Sequence, residues 1–550
     1  MLALICAGLL IPFLRGGLRS AVILAAPLLS LWLIWQVQDG VALSLPFLDQ
    51  TLQLVSGSKL GRLFATVFSL AAFAGGLFAL NQPSRLEVPV AFVYAGSAIG
   101  VTFAGDLLTL FIFWEVMAIA STLVIWSNGA ASRKAAMRYA MMHFLGGVIL
   151  MAGVAGEAMQ TGSLVFGAMD ISTWPRKLIF AGFLINAAAF PVSAWAPDAY
   201  AKASWSGTVF LSAFTTKTAV FVLMVGFPGT EILIPIGLAM MFYGILWAAL
   251  ENDMRRLLAY FTVNQVGFMV MAIGIGTETA LNGAAAHAFA HILYKGLLLM
   301  TAGSVLYMTG KNRMSDLGGL YRTMPVTTVS AVIGGLAISA FPLTSGFVPK
   351  SLMSGAVGEA QLAVAWFLLT AASAGVFVFA GLRYQWFTFF DRDSDRHPAD
   401  PPWNMKAAML LGVAFGIGLG VAPGALYPLL PFAVDYAPYT PGNVVPQLAL
   451  LLFAGLAFFL MRDWVRPKAM ITLDTDWLWR RMGAAVGEAA IRFAERLWAL
   501  LFGAICILTW RFTGRLSRHH GPDGLLGRTW PTGTMAFWTT AVLAAFVLLG

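Results

Sequence analysis

Glu115 is the one ionisable residue in the interior of DLLTLFIFWEVMAIASTLVIW (106–126). At ~1.5 Å per residue this run is long enough to cross a ~30 Å hydrocarbon core as one helix. Placing a carboxylate near the middle of such a span costs about 3 kcal/mol even on lenient scales. Such residues therefore face a bundle interior and hold ions or protons, the bland alternative being a hydrogen-bonded structural glutamate. Lys217 lies in TVFLSAFTTKTAVFVLMVGF, with two threonines before it and one after. It is too central to reach the headgroups easily by snorkelling. A nearby ionised carboxylate would hold its proton and loss of that partner would release it, so Glu115 and Lys217 are expected to form a switchable pair.

His287, His291 and Lys295 follow in HAFAHILYKG. At i, i+4 and i+8 they fall within ~80° on one helical face over ~12 Å of axis. Imidazoles titrate near neutral pH, so the trio reads as a lateral proton relay. The alternative is a pair of hydrogen-bonded interior histidines. Zinc is disfavoured, because HAFAH is not HEXXH and has no carboxylate nearby. Lys350, in GFVPKSLMSG, is expected as an inlet or outlet group where a broken helix admits water. His143, Glu157 and Asp106 are expected near helix ends, as solvated residues. Glu251-Asn-Asp253-Met-Arg255-Arg256 reads equally as an interfacial loop or as a functional link.

The elements that must position these groups are membrane helices. The 550 residues are 59% hydrophobic and 11% charged, against about 25% charged in soluble domains. Apolar segments recur along the chain, and about 14 core transmembrane helices are expected, with one or two more in the tail. The fold class is all-α and polytopic. The connections are too short for a soluble catalytic domain, and the longest core linkers are 391–402 and 433–446. The first apolar run has no basic leader region or small-residue cleavage pattern, so it is expected as a retained helix. Cys6 and Cys506 both lie in apolar runs, with no disulfide framework and no metal spacing; no cofactor or metal is expected. The net charge of +9 does not point to nucleic acid. Eleven Lys/Arg against six Asp/Glu lie between Arg462 and Arg528 beside apolar segments, which suits anionic headgroups of the lipid bilayer or a partner subunit. An intramembrane enzyme is poorly supported, since GxSxG, HEXXH and phosphate-cradling glycine loops are missing from the sequence. A purely structural scaffold would tolerate neutral residues at every intramembrane charge.

One internal repeat is visible. Ala189-Phe190-Pro191-Val192-Ser193-Ala194 leads to Pro197-Asp198, and Ala340-Phe341-Pro342-Leu343-Thr344-Ser345 leads to Pro349-Lys350. Proline removes a backbone donor and disfavours helix in the residue before it, so each stretch is expected to break a membrane helix. Broken helices at matching places in two halves point to a transporter repeat.

Together these residues resemble the antiporter-like family of proton-translocating membrane subunits. That family includes the D-type subunit of Mrp-type cation/proton antiporters and the large antiporter-like subunits of respiratory complex I. AGDLLTLFIFWEVMAIAS resembles its glutamate helix (Glu115), and FPVSAWAPDAY with SAFTTKTAV its broken helix seven and lysine (Lys217). HAFAHILYKGLLLMTAGS is similar to its central lysine helix (Lys295), and FPLTSGFVPKSLM to its broken helix twelve (Lys350). The likeness covers roughly residues 60–390. It implies about 14 helices with two inverted five-helix repeats and a central hydrophilic axis for protons. It departs from the family pattern in two places. Arg255 replaces a common lysine, and as a permanently charged group it suits an electrostatic gate better than proton carriage. Asn186 stands where many Mrp-type members have a lysine.

The expected organisation is N-terminal helices (1–85), a first repeat with Glu115 and Lys217 (86–276), a second repeat with Lys295 and Lys350 (277–430), and C-terminal helices with an amphipathic extension (431–550). The stretch LDTDWLWRRMGAAVGEAAIRFAERLWALLFGAI resembles the extension of longer Mrp subunits of the D type. Its interspersed charges and tryptophans suit a helix lying in the membrane plane and docking to a neighbour. The function implied is a subunit of a multisubunit monovalent cation (Na+)/proton antiporter in a bacterial cell membrane, with other membrane subunits as partners. The alternative is a proton-pumping subunit of a quinone-linked oxidoreductase or membrane hydrogenase.

Overall fold

Apolar runs of membrane-spanning length become helices because hydrocarbon leaves no other partner for backbone N–H and C=O groups. The computed structural model describes residues 1–47, 50–394, 397–468, 473–522, 524 and 526–549. Two positions of the 391–402 linker, 395 and 396, thus lie outside the described residues. The chain divides into two units, Met1–Thr475 and Asp476–Gly550.

In the first unit α1 (Leu2–Leu10) and α2 (Gly16–Ile34) precede a hairpin of β1 (Gly40–Phe47) and β2 (Gln50–Gly57). Then come α3 (Lys59–Phe78), α4 (Glu87–Phe103), α5 (Leu107–Trp126) and α6 (Ala130–Thr161). A first broken helix, α7 (Trp174–Asn186) and α8 (Trp195–Tyr200), is followed by α9 (Gly207–Ala213) and α10 (Thr215–Gly226). The central helices are α11 (Leu233–Leu250), α12 (Met254–Ile275) and α13 (Glu278–Thr309). The second broken helix is α14 (Pro325–Ile338) with α15 (Phe347–Glu359), and α16 (Ala363–Val376), α17 (Trp403–Val421) and α18 (Pro441–Leu460) close the unit. After α16 the helix continues through π-type turns to Phe390. Twelve helices among the described residues are long and apolar enough to cross a membrane, and three shorter apolar ones accompany them.

The helices richest in polar residues are the deepest. The spans Gly207–Gly226, Met254–Ile275 and Glu278–Thr309 are almost entirely buried by protein, whereas Pro441–Leu460 is largely exposed. Between α11 and α12 small residues allow backbone contact. A Cβ on Gly237 would meet the Gly267 carbonyl oxygen at 2.5 Å, and one on Gly267 would meet Gly237 at 2.6 Å. Close approach of this kind is how membrane helices associate without a hydrophobic driving force between them.

Both Phe-Pro stretches break their helices, by the same backbone device. Ala188 and Ala340 each adopt φ 56°, the left-handed region. Ala189 N–H then bonds the Leu184 carbonyl, and Phe341 N–H the Leu336 carbonyl. This six-to-one closure is a Schellman cap, built here on alanine where glycine is usual. The equivalence pairs Ala188 with Ala340, one residue out of register with the alignment of the two Phe-Pro pairs. Because successive helices alternate in direction, α7 and α14 start from opposite ends of the bundle.

The hairpin went unread in the sequence, although Val41, Leu43, Leu45 and Phe47 alternate with smaller or more polar residues at the period of a strand. Its register runs from Gly40↔Gly57 to Phe47↔Gln50. Asp106 is buried rather than solvated: it caps α5 by accepting from Thr109 N–H at 2.7 Å and Thr109 Oγ1 at 2.6 Å. It also accepts from Gln53 N–H of β2 at 2.7 Å. Glu157 is likewise buried and pairs with Arg176 at 3.0 Å. Near the end of the first unit, Asp474 accepts from the hydroxyls of Tyr243 (2.7 Å) and Tyr260 (2.6 Å).

The second unit is a helix over Ala484–His520 and another over Thr532–Leu549, both without buried residues. Glu488 and Arg492 pair at i,i+4, 3.5 Å apart. The amphipathic stretch is thus one long helix, longer than the expected segment.

Asp106→Ala should lower stability by about 2 kcal/mol, since it removes a helix cap and strands a strand amide. Heating the purified protein in mild detergent and following loss of helical signal checks this, with Asp106→Asn expected to lose less.

Candidate functional site

The core of the bundle holds a row of titratable side chains. Between α9 and α10 the helix is interrupted at Phe214. Lys217, fully buried, donates there to the Ser212 carbonyl at 2.6 Å and to Thr216 Oγ1 at 3.1 Å. An interrupted turn and one threonine thus supply the oxygen atoms that a lysine in hydrocarbon needs.

On α13 the rings of His287 and His291 are parallel to within 2°, with centroids 6.0 Å apart, as their i, i+4 spacing on one face requires. His287 Nε2 lies 3.0 Å from Gln265 Oε1 on α12, which also accepts from the Tyr294 hydroxyl at 3.1 Å. Gln265 Nε2 in turn donates to Asn264 Oδ1 at 2.7 Å. Charges at Lys217 and Lys295 act through the low-dielectric core on His291, and those at Lys217 and Lys350 act on His287. Both His291 ring nitrogens and His287 Nδ1 are buried with no hydrogen-bond partner among the described residues. Lys295 donates to the Leu258 carbonyl of α12. The row therefore comprises Lys217 on α10, His291, His287 and Lys295 on α13 and Lys350 on α15, with the Phe268 ring of α12 between Lys350 and His287 (Phe268–His287 centroids 6.2 Å apart).

Lys350, at one end of the row, and Glu115, which stands apart from it, differ from the sealed middle. Lys350 Nζ sits 5.0 Å from the Phe268 ring centroid, a cation–π distance, and has no hydrogen-bond partner among the described residues. It lines a cavity of about 300 Å³ with Ser351, Ser354, Thr370, Asn443 and Gln447. Glu115 lies on the opposite flank, in a groove of about 360 Å³ between α5 and α6 with Phe111, Phe144, Gly147, Val148 and Met151. Its Oε1 presses on Gly147, where a Cβ would overlap it, and has no hydrogen-bond partner among the described residues. The expected Glu115–Lys217 ion pair is not formed: Lys217 turns to Ser212 and Thr216, and Glu115 to the α5–α6 groove.

Arg255 does not stand in a charged passage. Its guanidinium donates to the carbonyls of Ala203 (2.6 Å), Ser204 (3.1 Å) and Ala201 (2.7 Å) and to Thr208 Oγ1 (3.2 Å). It fastens the turn that follows α8. The flanking charged link is ordered too. Asp253 caps α12 through the Arg255 and Arg256 amides, and Arg256 pairs with Glu251 at 3.3 Å.

Sequence reasoning missed Gln265, Asn264 and Tyr294, whose only signal was polarity inside apolar runs. It also missed Glu87, fully buried at the start of α4. Glu87 accepts from Gln82 Nε2 at 3.0 Å and from the hydroxyls of Ser206 (2.5 Å) and Ser127 (3.3 Å). His143, expected near a helix end, is buried in mid-α6 with Nδ1 2.9 Å from Asn186 Oδ1.

The comparisons with known proteins agree with this architecture. Residues 104–377 match the family described as NADH:quinone oxidoreductase/Mrp antiporter, TM, and the chain belongs to that family of antiporter-like membrane subunits. It is 29% identical over 548 residues to a probable K(+)/H(+) antiporter subunit, of type A/B, from Rhizobium meliloti, covering 88% of this chain and 55% of that protein. It is 31% identical over 273 residues to NADH-quinone oxidoreductase subunit N of Desulforudis audaxviator, covering 46% of this chain and 54% of that one. The chain thus spans about half the length of these curated relatives. A chain in the Mrp complex of Dietzia sp. DQ12-45-1b shares the fold, with a TM-score of 0.75 and 22% identity over 100% of this chain and 62% of that one.

Arg255→Ala should cost about 3 kcal/mol by leaving buried carbonyls unpaired. Arg255→Lys should recover only part of that, because one ammonium cannot span the same acceptors. Thermal stability of the two purified variants in detergent measures both.

Proposed function

We propose that this protein is the ion-translocating subunit of a multisubunit monovalent cation/proton antiporter, with protons moving along the buried row. The observation that carries the reading is the row itself. Lys217 on α10, His291 and His287 on α13 and Lys350 on α15 stand on helices packed together, so that a charge at Lys217 acts on both imidazoles and one at Lys350 acts on His287. Groups so placed change one another's proton occupancy, because a charge in a low-dielectric interior acts strongly on its neighbours. Glu115 and Lys350 face openings on the flanks and so serve as the exchange points, with His287, His291 and Lys295 between them. Arg255 holds the turn after α8 in place.

The names of the relatives support the same reading, one being a K(+)/H(+) antiporter subunit and another structure an Mrp complex. Partners are further membrane subunits, and the membrane is the bacterial cell membrane. The loops around 79–86, 127–129, 201–206 and 310–324 lie at one end of the bundle. Hydrogen bonds tie these loops to one another, from Gln82 to Ser204 and Ser206, from Asn128 to the Lys202 carbonyl, and through the start of α12 to Ala203 and Asn312. Arg85, Arg133, Lys134, Lys202, Lys311 and Arg313 lie in or beside them, against Lys59, Arg62, Arg176 and Lys177 at the other end. By the positive-inside rule the first end faces the cytoplasm. A redox-driven pump is the second reading, favoured by the likeness to an NADH-quinone oxidoreductase subunit; there the same row would be driven by electron transfer in neighbouring subunits.

Glu115→Gln and Lys217→Ala should each abolish cation/proton exchange, measured as dissipation of an imposed pH gradient in vesicles holding the assembled complex, while leaving assembly intact. Wild-type exchange in both variants overturns the proposal. Iron–sulfur or flavin subunits co-purifying with the chain would select the redox reading.

A further inference from the structure

Glu115 and Lys217 make no contact, yet any coupling between them must cross the space between α5, α6 and α10. That space is filled by polar groups the row does not use. His143 sits on α6 one helical turn before Gly147, the residue against which Glu115 Oε1 rests. Its ring is clamped between Tyr139 (centroids 4.0 Å apart) and Trp195 (4.6 Å). Trp195, the first residue of α8, is itself tied to the Ile185 carbonyl at 3.0 Å. The break in the first repeat therefore fixes the imidazole from one side, and α6 fixes it from the other.

The hydrogen bonding of His143 also orients it. Asn186 Oδ1 accepts at Nδ1, 2.9 Å away, so Nδ1 carries the hydrogen and Nε2 is the basic nitrogen. Nε2 is buried with no hydrogen-bond partner among the described residues. Beyond it the Tyr139 hydroxyl donates to Ser121 Oγ at 3.0 Å and lies 3.3 Å from Thr215 Oγ1. Thr215 Oγ1 is also 2.5 Å from the Tyr94 hydroxyl. Thr215 opens α10, and its neighbour Thr216 holds Lys217 Nζ at 3.1 Å. The order in space is carboxylate, imidazole, phenol, threonine hydroxyls and lysine.

We propose that His143 carries protons between Glu115 and Lys217, with Asn186 and Trp195 as its positioning residues and the Tyr139 hydroxyl as the next group of the relay. The inference rests on the antiport reading above and adds a group to it. A proton leaving the Glu115 carboxyl is taken at His143 Nε2, giving a carboxylate and an imidazolium. It then leaves along the Tyr139–Thr215 hydroxyls toward Lys217, which restores the neutral imidazole. The Tyr139 ring, tilted 42° to the imidazole, and the Trp195 ring, edge-on at 76°, lie against the cationic intermediate.

The test compares three variants of the assembled complex in vesicles, read as the rate of cation-dependent proton exchange. His143→Gln keeps a polar group beside Asn186 and loses the titratable ring; exchange is expected to fall at least about tenfold. Adding Asn186→Lys to His143→Gln returns a titratable group to the same spot, and exchange is expected to recover to within about threefold of wild type. Tyr139→Phe keeps the ring contact with His143 and removes the hydroxyl, with an expected fall of about tenfold, and it serves alone should His143→Gln prevent assembly. Wild-type rates in His143→Gln, or in Tyr139→Phe if that variant alone assembles, overturn the inference. A loss in His143→Gln that Asn186→Lys does not repair makes the histidine a packing residue and also overturns it. Glu115→Gln, run alongside, separates the two levels: if it too exchanges normally, the antiport reading fails, whereas loss there with normal His143→Gln rates removes only His143.

Discussion

The cost of an ionisable group in hydrocarbon shapes this molecule more than any other term. Each charge in the core must find oxygen or nitrogen partners within the protein. For Lys217, Lys295 and Arg255 the bundle meets that demand with backbone carbonyls. The interruption at Phe214 gives Lys217 the Ser212 carbonyl. Lys295 takes the Leu258 carbonyl, and Arg255 takes three carbonyls of the turn after α8. Thr216 adds a hydroxyl at Lys217 and Gln265 an amide oxygen at His287, whereas Glu115 Oε1, both His291 ring nitrogens and Lys350 Nζ have no hydrogen-bond partner among the described residues. The most polar helices are consequently the most buried, the inverse of a soluble protein.

The two broken helices are the other half of the same solution. Their Schellman caps on Ala188 and Ala340 end α7 and α14 in mid-bundle, from opposite ends. The segments beyond the caps differ: α7 leads to Trp195, which packs on His143, and α14 leads to α15, which carries Lys350 to its polar cavity. One repeat thus seals a histidine between two aromatic rings, and the other opens a lysine to a cavity lined with polar side chains. The central α12–α13 pair joins them through Gln265 and the stacked imidazoles.

The two charges at the flanks, Glu115 and Lys350, are those with openings beside them, and they are of opposite sign. The groups between are enclosed. A proton shift at one flank can therefore act on the other only through the charge states of the middle groups, where low dielectric makes each step felt by the next. Arg255, always charged, contributes a fixed field and a mechanical tie but no proton.

The sequence by itself determined the fold class, the broken helices and the intramembrane charges, because hydropathy, proline placement and ionisable residues in apolar runs are local signals. The i, i+4, i+8 face of HAFAHILYK is equally local, and the structure reproduces it. Partners were not legible. Which side chain meets Lys217 depends on the turn at Phe214 and on how α5, α6 and α10 cross, and no single segment encodes those crossings. His143 looked like a helix-end residue because α6 begins at Ala130, earlier than its apolar stretch; only the packed α8 shows the ring enclosed. Glu87 and Gln265 were invisible for the same reason, since a polar residue in an apolar run acquires a role only from the groups that other helices bring to it. Helices are set by short-range sequence, whereas the pairing of buried charges is set by tertiary packing, because desolvation is felt only once neighbours are in place.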